Sequence, residues 1–199
     1  MDIALYALRL ERPLTAAEQE RLFALVPPER AARLSRLRDR ARRDAPLCAY
    51  AVLRLALRQL YGWQTLPPIA PDERGKPCFP QHPSVCFNLS HTDGALLVGV
   101  HDQPLGVDIE RVRPVAARIL KKFGAADEQQ FFVDWVRRES RVKHSGEGLA
   151  ALHQPPQRGE RLHEPALFPG YVACVCTHAD APLAVTILTQ DALLRDTGA

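Results

Sequence analysis

The amino-acid sequence predicts an α+β fold, and three observations carry that expectation. Apolar residues fall on helical faces over 16–26, 47–60 and 115–143. The period shortens to that of strands over 85–110. Two further apolar runs, at 171–177 and 183–188, end the pattern. The resulting order is strand, helices, strands, helices, strands. At 199 residues, 46% apolar and 25% charged, the chain has the composition of a globular protein and not of a disordered, collagenous or coiled-coil one. A chain of this size buries roughly 70% of its unfolded surface, so no disulfide or metal staple is required.

Taken in order, residues 3–10 (IALYALRL) read as a strand ending before Pro13. Thr15 followed by Glu18 is a capping-box signature, and Leu22, Phe23, Leu25 and Val26 continue a helical face that Pro27 and Pro28 close. A second helical pattern starts near Glu29 and turns strongly basic, and 47–60 is the most apolar helix. The Pro- and Gly-rich stretch 62–84 reads as loop. VCFNL, ALLVGVH and LGVDIE, separated by HTDG and DQP, read as a β-meander. Helical composition returns over 115–123 and 126–143, 144–170 is loop-like, and two strands follow. A break near residue 103 divides the chain into 1–103 and 104–199, each with helices and a few strands.

The net charge of +3 is too mild to point to nucleic acid. No run reaches the roughly 18 apolar residues of a membrane span, and an acid at position 2 without a basic segment does not resemble a signal peptide. The expectation is a cytoplasmic protein with no membrane partner. Five cysteines, odd in number and without a CxxC pair, read as small buried side chains, and the seven histidines show no zinc spacing.

Four local features bear on chemistry. In Gly106-Val107-Asp108-Ile109-Glu110, strand alternation turns Asp108 and Glu110 to one face. Parallel carboxylates suit a hard cation such as Mg²⁺, or are two ordinary solvated acids. Trp135, Glu139 and Lys143 share one helix face, where the acid and base serve a metal and a phosphate or form a surface ion pair. Ser90 and His91 end a strand as anion donors or plain turn residues. Arg30, Arg33, Arg36, Arg38, Arg40, Arg42 and Arg43 offer planar forks to phosphate, or form a solvated face.

The order of these features carries a resemblance. Gly75-Lys76-Pro77, then Phe87-Asn88-Leu89-Ser90-His91, then Gly106-Val107-Asp108-Ile109-Glu110, then Trp135-x-x-Arg138-Glu139-Ser140-x-x-Lys143 with Gly146-x-Gly148-Leu149, is similar to the Sfp-type 4'-phosphopantetheinyl transferases. The likeness spans residues 1 to about 150 and includes the opening strand, the RPL tripeptide and the Pro-Glu-basic stretch.

The resemblance implies two similar α/β lobes related by a pseudo-twofold axis, with coenzyme A in the cleft between them. It implies transfer of the phosphopantetheine arm to a serine of an acyl or peptidyl carrier protein, with release of adenosine 3',5'-bisphosphate. Asp108, Glu110 and Glu139 then hold Mg²⁺ against the diphosphate, Glu139 is also the base, and Lys143 meets the diphosphate. Lys76 and Pro77 match the adenine-binding turn; Ser90, His91, Arg30 and Arg33 match the 3'-phosphate side. It also implies a monomer whose partners are carrier proteins and not nucleic acid. The alternative is a non-catalytic module that binds coenzyme A or a carrier protein. Four departures stand out: Arg138 replaces the family's usual Lys, the segment between Glu110 and Trp135 is short, the expected basic and hydroxyl residues do not line up around Arg43-Asp44-Ala45-Pro46, and 150–170 has no clear counterpart.

Overall fold

The structure, a computed structural model, describes residues 1–148, 152 and 154–198. It opens with β1 (Ile3–Arg9). Helix α1 (Ala16–Phe23) starts on the expected capping box: Glu18 N donates to Thr15 Oγ1 at 3.2 Å and Thr15 N donates to the Glu18 carboxylate at 2.7 Å. After α2 (Pro28–Ser35) the basic stretch does not continue as one helix; it passes through a 3₁₀ turn (Arg40–Arg43) into α3 (Asp44–Tyr61). Buried Asp44 fastens that junction, accepting from Leu14 N at 3.0 Å and from the Gln19 amide at 2.5 Å.

The stretch expected to be loop over 62–84 contains one small hairpin, β2 (Ala70–Pro71) with β3 (Pro77–Cys78). Three strands follow: β4 (Cys86–Thr92), β5 (Ala95–His101) and β6 (Leu105–Arg111). They do not form the predicted meander. β5 lies between β4 and β1, so both its edges are taken, and β6 leaves for a second sheet. The β1–β5 pairing that displaces it is long-range and invisible to local periodicity.

The remaining elements are α4 (Ala117–Phe123), α5 (Glu128–Ser145), β7 (Arg161–His163), β8 (Tyr171–Thr177), β9 (Leu183–Leu188) and α6 (Gln190–Gly198). Both β7, within the stretch read as loop-like, and α6, beyond the last predicted strand, are additions to the sequence reading. The sheets have the orders β4-β5-β1-β9 and β6-β8-β7. Strand β9 pairs in parallel with β1, so 183–198 returns from the second half of the chain to the sheet of the first. The Gln190 side chain seals that return, accepting from Glu11 N at 2.7 Å and Arg12 N at 3.1 Å and donating to Arg12 O at 2.9 Å.

Strand alternation sorts the core into two parts. Ala4, Tyr6 and Leu8 of β1, with Leu96, Val98 and Val100 of β5, pack on α3. Ile3, Leu5, Ala7 and Leu97 face the other way and meet Val107, Ile109, Ala173 and Val175 of the second sheet. The layers therefore run α3, first sheet, second sheet, α5. All five cysteines are free; Cys48, Cys174 and Cys176 are buried, and Cys78 and Cys86 only half-buried. Among the described residues no helix is long and apolar enough to cross a membrane.

Candidate functional site

The site begins with the way β6 is held. One of its edges pairs with β8 through main-chain hydrogen bonds. The other runs beside β4, where side chains replace the main-chain acceptors. Val107 N donates to Asn88 Oδ1 at 2.9 Å, Ile109 N to Ser90 Oγ at 3.3 Å and Arg111 N to Thr92 Oγ1 at 3.5 Å. The same hydroxyls donate onward: Ser90 Oγ to Asp108 Oδ1 at 2.7 Å, Thr92 Oγ1 to Glu110 Oε2 at 2.8 Å. Alternate residues of β4 thus hold alternate carboxylates of β6 in register. Phe87 and Leu89, which alternate with Asn88 and Ser90, turn to the α3 core.

Helix α5 comes down on the opposite face of β6 because residue 106 is glycine. A Cβ there would lie 2.0 Å from Ser140 O and 2.3 Å from His144 N, inside any allowed contact. That approach brings Lys143 Nζ to 2.6 Å from Asp108 Oδ1 and 3.0 Å from Ser90 Oγ. The shared helix face predicted for Trp135, Glu139 and Lys143 is real, and all three line a cavity of about 400 Å³. Ser90, His91, Asp108, Glu110 and Arg30 complete its charged and polar wall, facing Pro46, Ala49 and Tyr50 of α3.

The other expected residues lie outside this cavity. Lys76 and Pro77 line a second one, of about 450 Å³. The Lys76 ammonium there donates to Leu105 O at 2.9 Å and His144 O at 3.2 Å, tying the hairpin to β6 and α5. Arg33 is exposed on α2 and belongs to neither wall. Arg138 lies over the Phe123 ring at 5.4 Å and does not line the first cavity. The Gly146-x-Gly148-Leu149 motif supplies the left-handed cap of α5 at Gly146 (φ 73°); its Leu149 falls outside the described residues.

Burial and charge set the electrostatics. Asp108 is 4% exposed. Burial raises its pKa above the ordinary aspartate range, although Lys143 and Ser90 pull it back. Glu139 is raised by burial and then by Asp108, with Glu110 adding to the effect. For His91 the dense cleft walls, then the cations Arg30 and Lys143, disfavour the charged ring and hold its pKa down at about 4. His91 as a residue is nonetheless exposed at the cavity wall.

By donor type this set suits a hard divalent cation, although among the described residues the three carboxylates are not drawn within 4.8 Å of one another. Asp108 Oδ2 is buried and has no partner among the described residues, and Glu139 and Glu110 share the cavity with it. The Arg30 Nε is likewise buried without a partner among the described residues, a donor suited to an anion in the same cavity. Sequence reasoning missed Asn88 and Thr92. The alternation of polar and apolar residues along 86–92 was visible, but the strand it serves was not.

A scan against protein-family models matches no family. Similarity to characterised proteins is nonetheless extensive. The chain is 28% identical to 4'-phosphopantetheinyl transferase Sfp of Bacillus subtilis (strain 168) over 222 aligned residues, covering 96% of this chain and 99% of that protein. It is 30% identical to 4'-phosphopantetheinyl transferase psf-1 of Bacillus pumilus, covering 88% and 89%. A further 4'-phosphopantetheinyl transferase of Bacillus subtilis is 30% identical over 73% of this chain and 71% of its own length. Near-complete alignment with several enzymes of one name makes this α+β protein a transferase, and the chain belongs to the 4'-phosphopantetheinyl transferase family.

Proposed function

We propose that the protein moves the 4'-phosphopantetheine arm of coenzyme A onto a serine of an acyl or peptidyl carrier protein and releases adenosine 3',5'-bisphosphate. The observation that carries this reading is the gathering of three carboxylates, Lys143, Arg30 and His91 around one cavity. On this reading the chain forms two lobes, 1–103 and 104–199, of which the second lends β9 and α6 to the first. Each lobe supplies one 18-residue helix, α3 or α5, and coenzyme A occupies the cleft between them.

Asp108, Glu110 and Glu139 would hold Mg²⁺, which when bound neutralises diphosphate charge. Arg30 and His91 meet the 3'-phosphate, with Arg33 adding positive charge outside and Ser90 acting through Asp108 and Lys143. Lys76 and Pro77 take the adenine. Lys143 leans from Asp108 toward the diphosphate, where charge develops on the leaving side. Glu139, with its raised pKa, accepts the proton of the carrier serine hydroxyl. The serine oxygen forms a bond to the phosphorus that bears pantetheine. The bond from that phosphorus to the bridging oxygen breaks, and the departing nucleotide keeps the electron pair.

The test incubates the protein with coenzyme A, Mg²⁺ and a panel of apo carrier proteins and weighs the carriers by mass spectrometry. Carriers should gain the arm, and Asp108→Ala and Glu139→Ala should abolish the gain while leaving the far-ultraviolet circular dichroism unchanged. No gain on any carrier that a known transferase modifies in parallel would overturn the reading.

A further inference from the structure

A second group of metal-ligating side chains lies outside the cavity just described. His144 comes from α5, Cys176 from β8, and Glu160 from the segment leading into β7; one ligand atom of each lies within 4.8 Å of the others. The group is buried: His144 is 9% exposed, Cys176 is fully enclosed, and the Glu160 side chain is 4% exposed.

Each of the three retains unused coordinating capacity. The Cys176 thiol is free. His144 Nδ1 is buried and has no partner among the described residues. Glu160 is held by one oxygen only: Oε2 accepts from Arg141 Nε at 2.9 Å and from Gln157 N at 2.9 Å, leaving Oε1 for a ligand. Such outer support is what orients a metal-binding carboxylate. The two nearby cations are already engaged, Arg141 on Glu160 and Lys76 on the carbonyls of Leu105 and His144.

We propose that His144, Glu160 and Cys176 form a zinc-binding site. Nitrogen, carboxylate oxygen and thiolate sulfur are the donor types zinc selects, and three protein ligands leave the fourth tetrahedral position to water. One thiolate and one carboxylate offset the charge of a dication, and the Glu160 carboxylate also faces Arg141. The ligands come from three separate elements, so their sequence spacing carries no zinc signature. Bound metal would fasten the segment before β7 to α5 and β8, beside the cavity that Lys76 and Pro77 line. His178 packs edge-on to His144, with ring centroids 4.8 Å apart, and lines the same neighbouring cavity.

The experiment titrates Co²⁺ as a spectroscopic stand-in into the full chain, with excess Mg²⁺ keeping the all-oxygen carboxylate centre out of the readout. A single Co²⁺ should bind with a thiolate-to-metal charge-transfer band and four-coordinate visible bands, and Zn²⁺ should displace it stoichiometrically. Cys176→Ala should lose the charge-transfer band. Glu160→Gln should weaken binding by at least about 10–100-fold, the range for removing only an outer-shell partner. Absence of the band from the unaltered protein overturns the proposal, as does its survival in folded Cys176→Ala protein. Should Cys176→Ala fail to fold, unchanged affinity in Glu160→Gln, whose side chain lies outside the sheets and helices, overturns it equally. None of these outcomes bears on the transfer reaction.

Discussion

Asp108 and Glu139 have exchanged water for a crowded protein surface, and the two have been compensated unequally. Asp108 gains Ser90 and Lys143, whereas among the described residues Glu139 makes no hydrogen bond and faces two other carboxylates. A carboxyl whose pKa is raised on folding stabilises the native state only when protonated, and that contribution is lost as pH rises through the folded value. At neutral pH the charged Glu139 is therefore a net destabiliser. Glu139→Gln should raise Tm at pH 7 in metal-free buffer, and the gain should vanish below about pH 4, where the unfolded carboxyl is also protonated. Thermal melts at the two pH values check this; an unchanged or lowered Tm at pH 7 would refute it. Under the proposed role of Glu139, the same change would gain stability and lose transfer, the usual trade at a functional site.

At the scale of elements, the seam between β4 and β6 matters most. Ordinary pairing would leave no room between these strands for side-chain donors. Here the hydroxyls of Ser90 and Thr92 serve the β6 main chain and its carboxylates together. Thr92→Val keeps shape and removes both bonds. Under the proposed metal role it should weaken Mn²⁺ affinity by about 10–100-fold, as measured by electron paramagnetic resonance, and raise the Mg²⁺ concentration needed for transfer. Thr92→Ser should restore both; unaltered affinity in the valine variant would leave the seam a purely structural device. Much of this level was legible beforehand. Apolar period placed β1, β4, β5, β6, β8 and β9, and the shared face of Trp135, Glu139 and Lys143 followed from helical spacing alone. Partner choice between strands was not legible, because it depends on β1 claiming the free edge of β5 across nearly half of the chain. Strand β7 escaped because it has only three residues, and α6 because few apolar residues mark its face.

For the molecule as a whole, the site is bracketed by two helices, α3 and α5, lying on the outer faces of stacked sheets. The motifs quoted from the sequence converge because the sheets hold them there, although Lys76 and Pro77 end in a neighbouring cavity and Arg33 remains outside both. Removing 183–198 would strip β1 of its parallel neighbour and Glu11 and Arg12 of the Gln190 side chain. A chain ending at residue 182 should lose cooperative thermal unfolding, measured by circular dichroism; retention of a sharp transition near the full-length Tm would refute this. The same pairing bears on how the protein is made. A ribosome delivers β1 about 180 residues before β9, so through that interval β1 has an unoccupied edge. Closing that edge demands a contact between residues about 180 apart, the slow kind of step in sheet formation. During that interval the nascent chain is at its most vulnerable to pairing with a neighbour, and only the arrival of β9 ends the exposure.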